Sequence, residues 1–414
     1  MFGCSGDSGL YHLSDELMES VARVDRLERA DEFVPDRLGE ILEARRLSRR
    51  QVFRTAGALA FASAASAGFA ELTAAQPIAA APADLAAASA AQQGRVVTIP
   101  STPENIRLGQ FDSTLPDIDT VDSGDVILYP DTLTHFLGRV QKGTPIEEIA
   151  QMRRDNPGKG PHTIVGPVGV RDAAPGDMLE CRFQRLLPID WGVNFNNPGD
   201  LGTGALPQEF PQGQVKYFDL NIDAMTTEFM PGVTLPLAPF QGTFGVAPKE
   251  GGVVSSVPPG QHAGNVDLRD QNEGSTLWIP VWQPGAKIFT GDSHVLQGDG
   301  EVNLTAVESA MREIRVQVIL HQNVGWEWPF AETASHWYAL GMNRDLNEAF
   351  NTALRNAIDF LEKRAGMTRL DAYALCSVAV GFRVTQVVDV NTGVHAMIPK
   401  DTFAPELRAG ISVA

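Results

Sequence analysis

Two short segments hold most of the residue types that do hydrolytic chemistry. Residues 258–270 run Pro258-Pro259-Gly260-Gln261-His262-Ala263-Gly264-Asn265-Val266-Asp267-Leu268-Arg269-Asp270, and residues 291–301 run Gly291-Asp292-Ser293-His294-Val295-Leu296-Gln297-Gly298-Asp299-Gly300-Glu301. Small residues around imidazole and carboxylate groups let backbone and ligand approach closely. Such a donor set suits a zinc or similar divalent site, in which three protein ligands hold the ion and a water at the open position ionises near neutral pH. A remaining carboxylate then serves as general base. The spacing matches no standard short zinc motif. The competing reading is a turn-rich stretch whose Asp and Asn residues cap turns and whose histidines bond to backbone.

For the two segments to act together, the fold must set them side by side. Between them Ser275-Thr276-Leu277-Trp278-Ile279-Pro280-Val281 reads as a strand that would make the loops neighbours. Asp292 with His294, and Asp299 with Glu301, project to one side wherever the backbone is extended. Strand signals dominate the chain from Arg95 onward. Residues 125–129 are short and β-branched; Leu179, Cys181 and Phe183 alternate with Glu180, Arg182 and Gln184; Ile314, Val316, Val318 and Leu320 alternate with polar residues. Residues 384–390 and 394–398, joined by Asn391-Thr392-Gly393, read as a hairpin.

Helices are fewer. Thr144-Pro145-Ile146-Glu147 offers an N-cap, a first-turn proline and a capping-box glutamate, which predicts a helix over residues 145–154. A second is predicted over residues 345–364, with Leu346, Ala349, Phe350, Ala353, Leu354, Ala357, Ile358 and Leu361 in one stripe and Gly366 ending it. Thr368 begins a third. Such stripes need a sheet to cover them, so the expected fold is mainly β or α+β: a β-sandwich-like body with a few helices packed on one side.

The 414 residues carry a formal net charge of −18, which opposes nucleic-acid and anionic-membrane binding and suits a small-molecule ligand. Cys4, Cys181 and Cys376 lack metal-type spacing, so neither a disulfide framework nor a cysteine nucleophile is expected. His162 reads as pocket wall. His321, His336 and His395 read as structural or surface residues, since a ligand or base must converge with others in space. Trp326 and Trp328 are candidates for the pocket mouth or for packing.

Residues 1–95 differ from the rest and read as an N-terminal extension, leaving residues 96–414 as the catalytic domain. A charged, helix-prone stretch precedes Ser48-Arg49-Arg50-Gln51-Val52-Phe53-Arg54, then a small-residue apolar run to Ala70 and an alanine-rich linker over residues 74–91. Paired arginines before such a run, at about residues 48–70, resemble a twin-arginine export signal. The implied partner is the twin-arginine export machinery and the implied location is periplasmic or extracellular; without a working signal the chain stays cytoplasmic. The apolar run is short for a stable membrane span, which needs about 20 apolar residues. The competing reading is an amphipathic helix with a flexible linker.

Pro161-His162-Thr163-Ile164-Val165-Gly166-Pro167-Val168, Ala173-Ala174-Pro175-Gly176-Asp177 and Pro239-Phe240-Gln241-Gly242-Thr243-Phe244-Gly245-Val246-Ala247-Pro248 precede residues 262–267 and 291–301. In that order, over roughly residues 121–399, the chain resembles the acetamidase/formamidase family. The resemblance implies a β-rich fold, a homo-oligomer and hydrolysis of short aliphatic amides to ammonia and a carboxylate. It also implies a divalent ion, zinc ahead of calcium or another divalent, with His262, Asp267 and His294 as leading ligands and Asp131 or Asp292 as an addition. Glu301 is the expected general base, Asp292 or Asp299 orients a histidine, and Asn265 is the expected oxyanion donor. Ala263 replaces a family glycine and Val266 stands where some members have cysteine, so no thiol is required there. Two rivals share the scaffold: a hydrolase of larger or cyclic amides, and a non-enzymatic exported small-ligand-binding module.

Overall fold

The computed structural model describes residues 94–414. Cys4, the twin-arginine-type segment and the alanine-rich linker lie outside the described residues.

Alternating strands build two large, mostly antiparallel sheets. The nine-stranded sheet has the spatial order Val96–Thr98, Val126–Tyr129, Met311–His321, Met178–Pro188, Thr276–Pro280, Phe330–Glu332, His336–Asn343, Thr392–Pro399 and Gly381–Val384. The eleven-stranded sheet contains a row running from Val233–Pro236 through Thr226–Met230, Gln214–Asn221, Trp191–Asn196, Val307–Ser309, Ile288–Leu296 and Phe240–Val246 to Ala263–Asn265. Thr163–Val170 adds to Ile288–Leu296 and carries Ile106–Leu108 and Thr120–Val121.

Strand alternation decides which side chains enter which layer. Leu179, Cys181, Phe183, Ile314, Val316 and Val318 face inward and meet Val165, Phe244, Val246 and Ile288 of the other sheet in one core. Phe183 and Phe244 cross the interface edge to face, with ring centroids 5.3 Å apart, a favoured aromatic geometry. The opposite parity, Met178, Trp278 and Trp337, points outward and is covered by Ala357, Phe360 and Leu361 of the helix Leu346–Ala365 and by Ala372 and Cys376 of Arg369–Val378. The body is therefore the expected mainly β sandwich, and Cys181 and Cys376 are buried within it.

The long helix begins where Asp345 accepts the amide N–H groups of Asn347 and Glu348 and ends at Gly366 with φ 69°. Its alanine face lies so close to His336–Asn343 that a Cβ on Gly341 would collide with the backbone of Ala349 and Ala353.

Three expectations need correction. Thr144 does not cap Ile146–Asp155, because its hydroxyl accepts the Gln141 N–H at 2.9 Å and Pro145 is the N-cap. That helix also packs with Val193 and Phe195 of the eleven-stranded sheet, so helices cover both sheets and not one side alone. The C-terminal hairpin pairs Gly381–Val384 with Thr392–Pro399, while residues 385–391 leave the ladder to serve the site described below.

His395 is fully buried in this hairpin, its Nδ1 2.9 Å from the Thr385 hydroxyl. Burial, reinforced by Arg383 and Arg269, pushes its pKa down to about 3, so the folded state keeps it neutral. An unfolded histidine protonates near pH 6.5. The contribution is thus intact above about pH 6.5 and falls as the pH drops below it, by about 1.4 kcal/mol per pH unit for one proton. His395→Gln should flatten the pH dependence of the unfolding free energy between about pH 6 and pH 4 by that slope, read from urea titrations.

Candidate active site

The strand Phe240–Val246 organises the site. On one side it pairs with Ala263–Asn265 and on the other with Ile288–Leu296. It is this strand, and not Thr276–Pro280, that makes the two glycine-punctuated segments neighbours; Thr276–Pro280 lies in the nine-stranded sheet between Met178–Pro188 and Phe330–Glu332. Gly242 falls opposite Asp292, where the ladder is interrupted. A Cβ on Gly242 would lie 2.5 Å from Asp267 Oδ1, 2.6 Å from His294 Cε1 and 2.8 Å from Asp292 Oδ2. The absence of a side chain at Gly242 is therefore what gives the cluster its space. Asp267, Asp292 and Glu301 all adopt positive φ, at 53°, 56° and 46°. Such backbone costs on the order of 1–3 kcal/mol per residue and tends to gather at functional sites.

Around this strand, acids and imidazoles converge out of water. His135 Nε2 lies 2.8 Å from Asp292 Oδ1 and 3.4 Å from Glu308 Oε2. His294 Nε2 lies 3.0 Å from Glu308 Oε2 and 3.3 Å from Asp292 Oδ2. Gln297 Oε1 is 3.1 Å from His294 Nδ1, and Gln297 Nε2 donates to the carbonyl of Asp267, so Gln297 sets the imidazole against the 267 turn. Glu308 is held by the Ala306 N–H on Oε1. His162 stands 3.8 Å from Asp292 Oδ2, its Nδ1 bonded to the Ser256 hydroxyl. Thr243 donates to Asn265 Oδ1 at 2.5 Å.

Several of these atoms have neighbours but no aligned hydrogen bond: His294 Nε2, Glu308 Oε2, both Asp267 carboxylate oxygens and Asp389 Oδ2. Ligand atoms that share an ion likewise sit a few ångströms apart without bonding to one another. Among the described residues two groups could hold a cation, His135 with Asp292 and Glu308, and Asp267 with His294 and Glu301; within each, the donor atoms lie within 4.8 Å of one another.

The electrostatics agree. Burial alone would raise Asp292, but His162 and His294 nearby and the bond from His135 hold its carboxyl well below the usual range. Burial likewise opposes charge on His294, yet Glu308 and Asp292 push its pKa well up. Glu301 is raised well above the usual range by burial and then by Asp389, and Asp267 by burial, Glu301 and Asp389. Burial lifts Asp389 to about 8. Burial and like charge thus disfavour the ionised forms of Asp267, Glu301 and Asp389, a preference that a bound cation would invert.

The cluster lines a cavity of about 500 Å³ whose wall includes His135, His162, Asn265, Asp292, Glu301 and Glu308. A more open hollow of about 620 Å³ beside Asp122, Arg171 and His321 contains none of these groups.

Of the residues expected from sequence, Asn265, Asp267, Asp292, His294 and Glu301 come together. His262 does not: it is buried against Phe111, ring centroids 5.7 Å apart, and burial drops its pKa to about 4. Asp131 accepts the Ser101 backbone N–H at 3.1 Å and so serves a neighbouring loop. Asp299 is exposed in a turn with Arg383 3.8 Å away, because the chain curls at residues 298–301 instead of running extended. His162 is the cavity wall it was expected to be. Trp326 packs in the core beneath the C-terminal helices.

Sequence reasoning missed His135, Glu308 and Asp389. Each had a faint signal. Glu308 is the lone acid in the run Ala306-Val307-Glu308-Ser309-Ala310, and Asp389 stands between Val388 and Val390, where an unpaired charge is costly. His135 closes the segment that begins at Asp131, and the neighbouring acid drew the attention instead.

The model of the Acetamidase/Formamidase family matches residues 107–253 and 251–405. The chain belongs to that family. It is 24% identical over 249 residues to a formamidase-named protein of Schizosaccharomyces pombe, covering 47% of this chain and 60% of that one, so it spans less than two thirds of that relative. It is 24% identical over 319 residues to the formamidase of Methylophilus methylotrophus, covering 60% of this chain and 78% of the relative. The crystal structure of an acetamidase from Bacillus halodurans superposes with a TM-score of 0.66 at 27% identity, covering 74% of this chain and 98% of that one.

Gly242→Ala tests the packing argument. The variant should keep its far-ultraviolet circular dichroism but lose divalent-ion affinity by about 10–100-fold, the usual effect of disturbing the support of a ligand set; metal content after dialysis reads the outcome.

Proposed function

We propose that the chain hydrolyses linear amides to a carboxylate and ammonia at the Asp292–His294 cluster. The observation that carries this reading is the buried convergence of His135, His294, Asp292 and Glu308, with donor atoms left unpaired, beside the buried carboxyls Asp267, Glu301 and Asp389. Membership of the Acetamidase/Formamidase family supports it.

The donor set fits a divalent ion, and zinc is the first candidate because imidazole with carboxylate is its usual company in hydrolytic sites. His135, Asp292 and Glu308 would hold it, with His294 closing the set. An ion bound there supplies Lewis-acid polarisation of the amide carbonyl and makes water acidic enough to attack near neutral pH. Glu301 acts in its ionised form, accepting the proton from the attacking water and returning it to the departing nitrogen; burial and Asp389, which raise its pKa, make it the stronger base. Burial first, and then the neighbouring Asp389, keep Glu301 in the raised range. Thr243 occupies Asn265 Oδ1, which frees the Asn265 amide nitrogen to donate to the oxyanion that develops as the carbonyl is attacked. Gln297 fixes the His294 ring orientation, the supporting role that most metal-site histidines require. The reaction adds water across the amide C–N bond, and the nitrogen leaves as ammonia.

Ammonia release from formamide, acetamide and propionamide, with and without a chelator, tests the reading. The metal-replete protein should release ammonia, the chelated one should not, and Glu301→Gln should keep its ion while losing at least about 100-fold in kcat. No release from any of these amides by metal-replete protein would favour a ligand-binding module, and full activity of Glu301→Gln would remove that residue from the chemistry.

Export and a homo-oligomer belong to the same proposal. The twin-arginine-type segment at residues 48–54 supports export. The exposed apolar residues Leu370, Tyr373 and Val378, at helical spacing on Arg369–Val378, support self-association. N-terminal sequencing of the protein from its native host should show removal of the residues through the apolar run; an intact Met1 would sink the cleavage idea.

A further inference from the structure

The cavity is far larger than the smallest amides require. At about 30 Å³ per water, about 500 Å³ holds on the order of 15 waters, whereas formamide and acetamide displace only a few. Beyond the charged cluster its wall includes the apolar side chains Phe136, Phe195, Leu201, Leu304 and Val388, together with polar ones such as Asn197 and Thr203. Those apolar side chains suit a hydrocarbon chain.

The same wall contains Arg153, from the last turn of Ile146–Asp155. Its guanidinium is half-buried and gives one of its donors to the Lys159 carbonyl. Among the described residues no carboxylate lies within ion-pairing distance of it, whereas most other arginines that form contacts here, such as Arg95, Arg171, Arg182 and Arg369, have acidic partners. Burial lowers its pKa from the ordinary arginine value, though a guanidinium stays charged at any physiological pH. Its field also counts among the positive charges that keep the buried His162 neutral, after burial itself. In a chain of net charge −18, Arg153 lines the cavity with no acidic partner among the described residues, and its remaining N–H donors match a carboxylate in fork geometry. Arg344, exposed at the rim and likewise without an acidic partner among the described residues, adds positive potential at the entrance.

Resting on the amidase reading above, we propose that the substrate is an amide bearing a carboxylate at the far end of a short hydrocarbon chain, and that Arg153 is the specificity-determining residue that binds that carboxylate. The amide end sits at the Asp292–His294 cluster, the chain lies along the apolar side chains of the wall, and the distal anion stands at Arg153.

The test compares succinamate with butyramide, which match in chain length and differ in the distal carboxylate, using the metal-replete full chain. The kcat/KM ratio of succinamate to butyramide should exceed about 10 and should fall at least about tenfold in Arg153→Gln, in keeping with the strength of charge-assisted bonds. Arg153→Lys, which retains the charge, should recover part of the ratio, and thermal melts show that the Lys159 loop still folds. Calorimetric titration with succinate and with butyrate reads binding without chemistry: succinate should bind more tightly, and Arg153→Gln should remove the difference. A ratio at or below one, or a ratio or succinate preference unchanged in Arg153→Gln, overturns the proposal. If no amide is hydrolysed the amidase reading fails by itself, and the succinate and butyrate titrations still decide whether Arg153 is an anion site.

Discussion

The constraint on which the rest depends is the concentration of negative charge at the end of one cavity. Asp267, Asp292, Glu301, Glu308 and Asp389 are each at most 6% exposed. Burying ionised carboxylates is costly unless they are paired, protonated or bound to a cation. The protein uses the first two devices where it can: His135 and His294 lie against Asp292 and Glu308, and burial raises the pKa of Asp267, Glu301 and Asp389 toward the neutral form. What is left is a set of donor atoms with close neighbours and no aligned hydrogen bonds, which a divalent ion would complete. Site chemistry and site electrostatics are in this sense one problem.

Holding such a cluster requires a stiff frame. The sandwich core, locked across its middle by Phe183 and Phe244, fixes Phe240–Val246 between the two strands that carry the ligands. Gly242 then leaves the gap that His294, Asp267 and Asp292 occupy. Strained backbone at Asp267, Asp292 and Glu301 is tolerated because the ladders on either side over-determine it. Chain segments remote in sequence supply the remainder: His135 from the turn after Val126–Tyr129, Glu308 from Val307–Ser309, and Asp389 from the loop that interrupts the C-terminal hairpin. The outer helices cover the sheets and touch the site at one place, the cavity wall where Ile146–Asp155 brings Arg153.

The division of the cavity is as informative as its cluster. The buried acids and imidazoles share the cavity with apolar side chains such as Phe136 and Phe195, and with Arg153, which has no acidic partner among the described residues. Hydrolysis by itself needs the first feature; the other two concern which amide is chosen. Fold and chemistry are common to a family, whereas selectivity resides in the wall.

The sequence by itself determined the layered, mainly β body, since alternation at residues 179–183 and 314–320 and the stripe of Leu346–Ala365 are local patterns set by backbone periodicity. It also determined the core of the site, because Asn265, Asp267, Asp292, His294 and Glu301 lie in two compact segments whose glycines mark close approach. Tertiary structure alone decided that His135, Glu308 and Asp389 join them and that His262, Asp131 and Asp299 do not. Those choices depend on strand order and on turns with positive φ. An extended reading places Asp299 beside Glu301, but the curl at residues 298–301 sends one to solvent and the other inward. Ligand sets are built by convergence in space, and strands that meet only in the folded sheet leave no shared period in the chain for a sequence pattern to reveal.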